Sequence, residues 1–418
     1  MGMEEKMNKR KGFSSFIQFI QNTLAYALPV FFQQFIVYPL MANKLGEEAN
    51  GQFLALIALN YFTINITISV LVNVRLLRNR KYEEEKYKGD FNLLLLFMAV
   101  IDTFIIIGGT IFYGQRNLQD LLLSVVLLLL FVYHDYVVVQ YRIELRFRDI
   151  LINNLILCVG YILGLIILYT SFRCWQIVFI VPYLMTMIYD LTHTNYIKEP
   201  LKKTPLINDT VKQYFLLMGS TLLSAVVTYG DRMLLYPILG GDDVSVFTSA
   251  QLIGKILQLI STPVSSFMLA HLVKKEKICF SVRPKYVTLL LGVIITLYIG
   301  GLIVGRPVIC LLYPTWADEA ITYIPLTTAN GIVHMLNVLL NVVVLRFCKA
   351  HWQIIKSMLY LMAYTLLSFS LMSYWGLWGF GIGNLLASLI EVVFLLGVLF
   401  GEKIFTFKKK QHSNIDEI

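Results

Sequence analysis

Charge is scarce in this sequence, because Asp, Glu, Lys and Arg together make up only 15% of its 418 residues. Hydrophobic residues make up 57%, whereas soluble globular domains average about 45–50% apolar and about 25% charged residues. Long apolar runs recur along the whole chain, and a helix needs ~20 such residues to cross the ~30 Å hydrocarbon layer of a bilayer. The composition excludes a soluble protein and predicts an integral membrane protein with almost no soluble domain.

Catalytic and metal-binding patterns are also missing. The five cysteines form no CxxC pair, so they are predicted to be free thiols, with a disulfide between Cys174 and Cys310 as the alternative. No Walker A, GxSxG, HExxH or HxxxH pattern occurs, and no pair of acids lies in a long loop. We therefore predict no metal, no cofactor and no enzymatic activity.

Twelve apolar segments are predicted to cross the membrane as helices joined by short polar connections. The first is too long for the apolar core of a signal peptide and lacks a small-residue cleavage site, so it is expected to be retained. The predicted ranges are 14–41, 50–74, 91–113, 119–140, 150–170, 175–195, 212–238, 244–270, 286–304, 320–345, 353–374 and 377–400.

The positive charges alternate between the connections. With the N-terminus inside, the inner segments hold 29 of the 35 Lys and Arg residues, and the outer loops hold 4. Inner loops of membrane proteins carry this excess, so both termini are predicted to lie in the cytoplasm. The net charge of +9 is thereby explained by topology, and no nucleic-acid partner is expected.

One short motif occurs twice. "LGEEANGQF" covers residues 45–53, and "LGGDDVSVF" covers residues 239–247, which is 194 positions later. Both copies lie in a predicted outer loop that leads into an even-numbered helix. Because the two copies occupy equivalent places in the predicted topology, we predict a duplicated chain. Its N-terminal lobe covers 1–205 and its C-terminal lobe covers 206–418. Since each lobe has six helices, the repeats are parallel and enclose a central cavity, as in two-lobed transporters.

Three longer stretches carry a family resemblance: "LAYALPVFFQQFIVYPLMANKLGEEANGQFLAL", "YGDRMLLYPILGGDDVSVFTSAQLIGKILQLISTPVSSFMLAHL" and "YWGLWGFGIGNLLASLIEVV". They resemble the polysaccharide-transporter branch of the multidrug/oligosaccharidyl-lipid/polysaccharide flippase superfamily. The resemblance implies alternating-access flipping of undecaprenyl-diphosphate-linked oligosaccharide across the bacterial cytoplasmic membrane. It implies a role in O-antigen, capsule or exopolysaccharide biosynthesis, with lipid-linked oligosaccharide, membrane lipids and a proton or sodium ion as partners.

Two cations inside predicted spans are candidates for binding the cargo. A charge at the bilayer centre costs ~2.5–3.5 kcal/mol on insertion scales, so each is a functional candidate. Lys255 has no acid three or four residues away, and its alternative role is an ion pair with a distant acid such as Asp231. Arg232 suits a diphosphate because its guanidinium is bidentate, although a structural ion pair is an equal alternative.

Four intramembrane acids are candidates for coupling a proton or sodium ion: Asp231, Asp102, Asp135 and Glu391. For the last three, interhelical hydrogen bonding is the favoured alternative. His134 and His334 are expected to be packed polar residues, and Asp190 is set aside because it lies near the inner end of its helix.

Helix 1 supplies two further candidate cavity residues. Gln33 and Gln34 follow Pro29, which frees a backbone carbonyl and is expected to bend the helix. The bend can serve as a hinge that lines the cavity, or it can be an ordinary membrane kink.

Two other functions remain as alternatives. The first is a proton- or sodium-coupled multidrug antiporter of the same superfamily, whose drug-exporting members typically carry an acid in helix 1. Residues 13–41 contain no Asp or Glu, which disfavours that function, while Asp231 keeps it open. The second is a membrane glycosyltransferase or polymerase, which needs a sizeable loop, whereas the connections here reach only about 16 residues.

Overall fold

The structure is a computed structural model that describes residues 27–170, 174–272, 280–282, 284–349, 351–402 and 404–407. The chain forms two compact units, the first ending at Ser245 and the second beginning at Val246. The lobe boundary predicted after residue 205 was placed from the sequence duplication, whereas the two units are defined by their compactness. The lobe boundary therefore stays a prediction.

The first unit is built from helices. Residues 14–26 of the first predicted span lie outside the described residues. A single 3₁₀ turn, Tyr196–Lys198, follows the seventh helix. The helices are α1 (27–45), α2 (Glu47–Ile66), α3 (Ile68–Glu84), α4 (Asp90–Phe112), α5 (Leu118–Ile143), α6 (Phe147–Thr170), α7 (Ile177–His193), α8 (Ile207–Leu239) and the first part of α9 (Gly241–Ala250).

The second unit continues in the same way. Its long last helix breaks at Trp375 and Gly376, where the backbone leaves helical geometry. Two three-residue strands, β1 (Phe280–Val282) and β2 (Phe405–Phe407), pair in parallel. The helices are the rest of α9, α10 (Leu252–Leu272), α11 (Pro284–Leu312), α12 (Ala317–Phe347) and α13 (His351–Gly401).

The predicted fold class, an all-α membrane protein, is confirmed. In the part of the chain that the structure describes, nine helices are long and apolar enough to cross a membrane, and Ile177–His193 is a shorter apolar helix. The predicted end of the second span is wrong, because α3 extends to Glu84 through much of the predicted loop 75–90. The physical reason is that the extension is rich in Leu, Arg, Lys and Glu, which are all good helix formers.

Small residues let helices approach closely within each unit, as is common in membranes. In the first unit, Gly160 of α6 lies so near Pro182 of α7 that an added Cβ would be 2.3 Å from the proline Cα. In the second unit, a Cβ on Gly331 of α12 would be 2.4 Å from the Cα of Gly254 in α10. These contacts fix the helix pairs that hold the polar side chains described below.

The predicted free thiols are observed. The four cysteines in the described residues, which are Cys158, Cys174, Cys310 and Cys348, are unbonded. The Cys174–Cys310 disulfide alternative is therefore wrong, and Cys279 lies outside the described residues.

Candidate functional site

The two copies of the repeated motif share one local structure. Gly46 and Gly240 both have positive φ, at 83° and 96°, a conformation that glycine adopts without steric cost. Each glycine N–H donates to the carbonyl four residues back, at 3.1 Å to Ala42 and 3.0 Å to Tyr236. In both copies the chain ends one helix at the glycine and starts the next at once. The sequence match at this point therefore reflects a shared backbone turn.

The two copies also touch each other. An added Cβ on Gly51 would lie 2.0 Å from the carbonyl oxygen of Gly241, so the two backbones meet without intervening side chains. Ser245 Oγ donates to the Glu47 carbonyl at 2.6 Å, and Asn50 Nδ2 donates to Ser245 Oγ at 3.0 Å. We name these five residues the repeat seam.

The seam contacts obey a pseudo-two-fold relation. Under the 194-residue offset, Gly51 corresponds to Ser245, and Glu47 corresponds to Gly241. The contact of Gly51 with Gly241 therefore has the contact of Ser245 with Glu47 as its image, and both are present. Two-fold interfaces have this reciprocal property, which supports the inference of a duplicated chain.

A polar cluster lies behind α1 in the first unit. Gln33 is 9% exposed, and its Nε2 donates to Tyr61 Oη at 2.6 Å and to Tyr161 Oη at 3.0 Å. The Tyr61 ring stacks on Phe131 with 5.5 Å between centroids, and Tyr229 lies 6.4 Å away. An amide and several phenols thus converge within an otherwise apolar bundle. Predicted cavity residue Gln34 is half-buried on the same helix.

A π-helical turn over Gln33–Val37 sets the orientation of Gln33. Within it, the Tyr38 N–H donates to the Gln33 carbonyl, five residues back. Pro39 follows directly. It has no N–H for the carbonyl of Phe35, and its ring would clash with that carbonyl in a regular α-helix. The widened turn thus lies directly before Pro39, and such turns are frequent at functional sites. The bend predicted at Pro29 stays a prediction, because the segment before residue 27 lies outside the described residues.

Arg232 extends into the same cluster. Its guanidinium interacts with the Tyr38 hydroxyl, which also interacts with Tyr61, and it lies near Tyr229. Arg232 Nε is buried and has no hydrogen-bond partner among the described residues. Neighbouring Asp231 instead accepts from the Arg232 backbone N–H at 2.9 Å. The structure thus brings Gln33 and Arg232 into one polar cluster, while Asp231 bonds to its own helix backbone.

The other predicted residues occupy separate places. Asp102 is fully buried and accepts from Thr67 Oγ1 at 2.8 Å, and half-buried Asp135 lies 3.4 Å from Ser69 Oγ. Lys255 is half-buried on α10 of the second unit.

Glu391, also in the second unit, is held by two hydrogen-bonding groups. It pairs with Lys356 at 3.3 Å and accepts from Asn337 Nδ2 at 2.9 Å. This arrangement matches the structural alternative that the sequence left open for Glu391.

Sequence reasoning set aside one buried acid, Asp190. It is fully buried, and its carboxylate accepts from Tyr141 Oη at 2.8 Å and from Asn153 Nδ2 at 2.6 Å. His134 Nδ1 lies 3.9 Å from the other carboxylate oxygen. The signal that could have identified Asp190 was the set of polar residues on three neighbouring helices. The position of Asp190 along its own helix does not reveal them.

Comparisons with known proteins give a fold but no sequence family. No protein-family model matches the sequence, and no curated protein matches it significantly. Among solved structures, "Lipid II flippase MurJ, inward closed conformation" is similar over 93% of this chain and 88% of its own, with a TM-score of 0.66 and 16% identity.

Two MATE transporters are also similar, and the first is described as a multidrug resistance transporter. An inward-facing MATE family transporter of the MOP superfamily has a TM-score of 0.66 at 12% identity and covers 91% of this chain and 99% of its own. A eukaryotic MATE transporter has a TM-score of 0.57 at 16% identity, covering 92% and 93%. The chain therefore shares the fold of these transporters.

Proposed function

We propose that this chain is a flippase that moves undecaprenyl-diphosphate-linked oligosaccharide across the bacterial cytoplasmic membrane for polysaccharide biosynthesis. The fold supports transport, because one similar structure is a flippase of a lipid-linked cargo and the others are transporters. Flipping breaks no covalent bond, so catalytic residues are not required.

The observation that carries the proposal is the Arg232 guanidinium in the cluster of Gln33, Tyr38 and Tyr61. A guanidinium is weakly hydrated and binds phosphate oxygens through two parallel hydrogen bonds. Its buried Nε, which lacks a partner among the described residues, supplies one such donor. The amide and phenol groups beside it can donate to and accept from sugar hydroxyls. Lys255 in the second unit stays a proposed cargo-binding cation in its own right.

The repeat seam supports alternating access. Its contacts are a close backbone approach and two hydrogen bonds, which join Ser245 to Glu47 and Asn50 to Ser245. Two-lobed transporters work by rocking one repeat against the other around a fixed site. We propose that the seam closes the outer side of the pathway and separates when the cargo leaves.

The test is leaflet-resolved measurement of lipid-linked oligosaccharide in cells lacking this protein. We expect the cargo to accumulate on the inner leaflet. The wild-type protein is expected to relieve this accumulation, whereas Arg232→Ala and Lys255→Ala are not. Lys285→Ala is the matched control, since this exposed lysine lies outside the cluster. Normal translocation without the protein, or full rescue by Arg232→Ala, contradicts the proposal.

A coupled drug antiporter is the second candidate, and two acids inside the first unit, buried Asp102 and half-buried Asp135, favour it. Carboxylates inside a membrane bundle are the usual groups for proton relays. Reconstituted protein that exports a cationic dye in response to a pH or sodium gradient, with no effect on lipid-linked cargo, supports this function instead. Loss of dye export in Asp135→Asn would then identify the coupling acid.

A further inference from the structure

A cavity lined by charged and aromatic residues lies in the first unit, apart from the polar cluster of Gln33 and Arg232. Its volume is about 440 Å³, and it is bounded by the end of α3, the start of α4 and the 3₁₀ turn. Volumes of roughly 300–1,000 Å³ are typical of small-molecule sites. The lining residues that matter here are Arg75, Lys86, Lys88, Phe91, Tyr196 and Glu199.

Arg75 is held rigidly in the wall of this cavity. Although the sequence places it in a predicted loop, it is 3% exposed. Its Nη2 donates to Glu199 at 2.7 Å, its Nη1 donates to Tyr136 Oη, and its guanidinium lies 3.6 Å from the Tyr196 ring centroid. Arg75 Nε has no hydrogen-bond partner among the described residues. A buried N–H without a partner costs free energy unless a ligand or water satisfies it.

The rim of the cavity is positive. Lys86 and Lys88 are exposed there, whereas Glu83 accepts from Asn79 Nδ2 at 2.7 Å and Glu199 is neutralised by Arg75. The two rim lysines therefore exceed the one rim carboxylate that has no cationic partner among the described residues, that of Glu83, by one positive charge. The buried guanidinium of Arg75 and the two ammonium groups at the rim together provide hydrogen-bond donors of the kind that bind phosphate oxygens.

The cavity is predicted to lie at the membrane surface. From Glu47 to Arg75 the chain runs about 40 Å through α2 and α3, at 1.5 Å per residue, so Arg75 is expected beyond a ~30 Å hydrocarbon layer that α2 enters. The charge distribution of the sequence predicts that this surface faces the cytoplasm.

We propose that this cavity binds the phosphate of a compact anionic head group at the cytoplasmic membrane surface. Arg75 Nε donates to the phosphate, and Lys86 and Lys88 close over it. The aromatic rings of Phe91 and Tyr196 pack against the carbon skeleton that carries the phosphate. The phosphate can belong to an anionic lipid or to a soluble phosphate ester, and the experiment separates these sources. The proposal does not depend on what the chain transports.

The test measures binding of dihexanoyl phosphatidic acid to the full-length purified protein by calorimetry, with dihexanoyl phosphatidylcholine as the zwitterionic comparison of zero net charge. We expect saturable binding of the anionic lipid only. Replacing both rim lysines, Lys86→Gln with Lys88→Gln, is expected to weaken binding about tenfold at low salt. The matched control is Lys285→Gln with Lys349→Gln, which removes the same charge from exposed lysines elsewhere.

Competition identifies the source of the phosphate. If glycerol 3-phosphate displaces the lipid, the site takes soluble phosphate esters; if it does not, the site takes lipid head groups. The proposal is overturned if no saturable binding occurs, or if both lysine pairs weaken binding equally, since that indicates general surface charge. Arg75→Lys keeps the charge but removes the guanidinium, so unchanged affinity in that folded variant also overturns the proposed role of Arg75.

Discussion

Two charged groups in different units differ in how many of their hydrogen-bonding atoms have partners. Glu391 in the second unit has both a cation and an amide within hydrogen-bonding distance. Arg232 in the first unit interacts with a phenol, while its buried Nε has no partner among the described residues. A fully satisfied buried pair holds a structure together, whereas an incompletely satisfied donor leaves a group for a ligand. The number of hydrogen-bonding partners therefore predicts that Glu391 is a structural charge and that Arg232 is a functional one.

The largest expected effect is on stability, in the satisfied pair. Glu391→Ala leaves the Lys356 ammonium without its carboxylate, and breaking a buried pair in this way costs about 3–5 kcal/mol. We expect a strongly lowered thermal midpoint of the detergent-solubilised protein. The double variant Glu391→Leu with Lys356→Met is expected to recover most of that loss, since no buried charge remains. Equal midpoints for wild type and Glu391→Ala would show that the pair is not structural.

Arg232 is expected to give the reverse pattern, with transport lost and stability retained. Removing a charge-assisted hydrogen bond costs about 1.5–3 kcal/mol of binding, so Arg232→Ala should reduce cargo transport roughly 10- to 100-fold. Arg232→Lys keeps the charge without the bidentate geometry and should fall between the two. The measurements are initial transport rate and thermal midpoint on the same preparations. A lowered midpoint in proportion to the lost transport would place Arg232 with Glu391 as a structural charge.

The repeat seam provides an intermediate effect. Gly51→Ala would place a Cβ about 2.0 Å from the Gly241 carbonyl, and overpacking of this kind costs about 1–3 kcal/mol. We expect the seam to open, seen as faster labelling of a cysteine introduced at Ser245. Gly108→Ala is the control, because nothing lies within 4 Å of its added Cβ. Labelling that is the same in both variants would show that the seam does not depend on the close backbone contact.

The smallest expected effect concerns the amide of the polar cluster. Gln33→Leu removes two hydrogen bonds to Tyr61 and Tyr161, and such bonds in membrane bundles average about 0.6 kcal/mol each. We expect a small loss of stability with a clear loss of transport. Gln34→Leu, one residue along the helix, serves as the comparison. A larger transport defect in Gln34→Leu would indicate that the cavity lies on the other face of α1.

The fold was predictable because it depends on averages along the chain. Hydropathy over ~20 residues and the distribution of Lys and Arg report membrane crossing without any knowledge of neighbours. The burial of Arg75 was not predictable in this way, since it depends on Tyr136, Tyr196 and Glu199, which are distant in sequence. The repeated motif was a partial exception: its glycines indicated a turn, but its contact with its own copy appears only in three dimensions.

The widened turn in α1 rotates the residues before it about the helix axis. A π turn accommodates one residue more than an α turn, and one residue corresponds to about 100° of rotation. Residues before Gln33 therefore face about a quarter-turn away from where an unbroken helix ending at Leu45 would place them. The π turn thus changes the direction in which side chains face along α1. It lets Gln33 face Tyr61 while the end of α1 near Leu45 keeps the alignment set by the Gly46 turn.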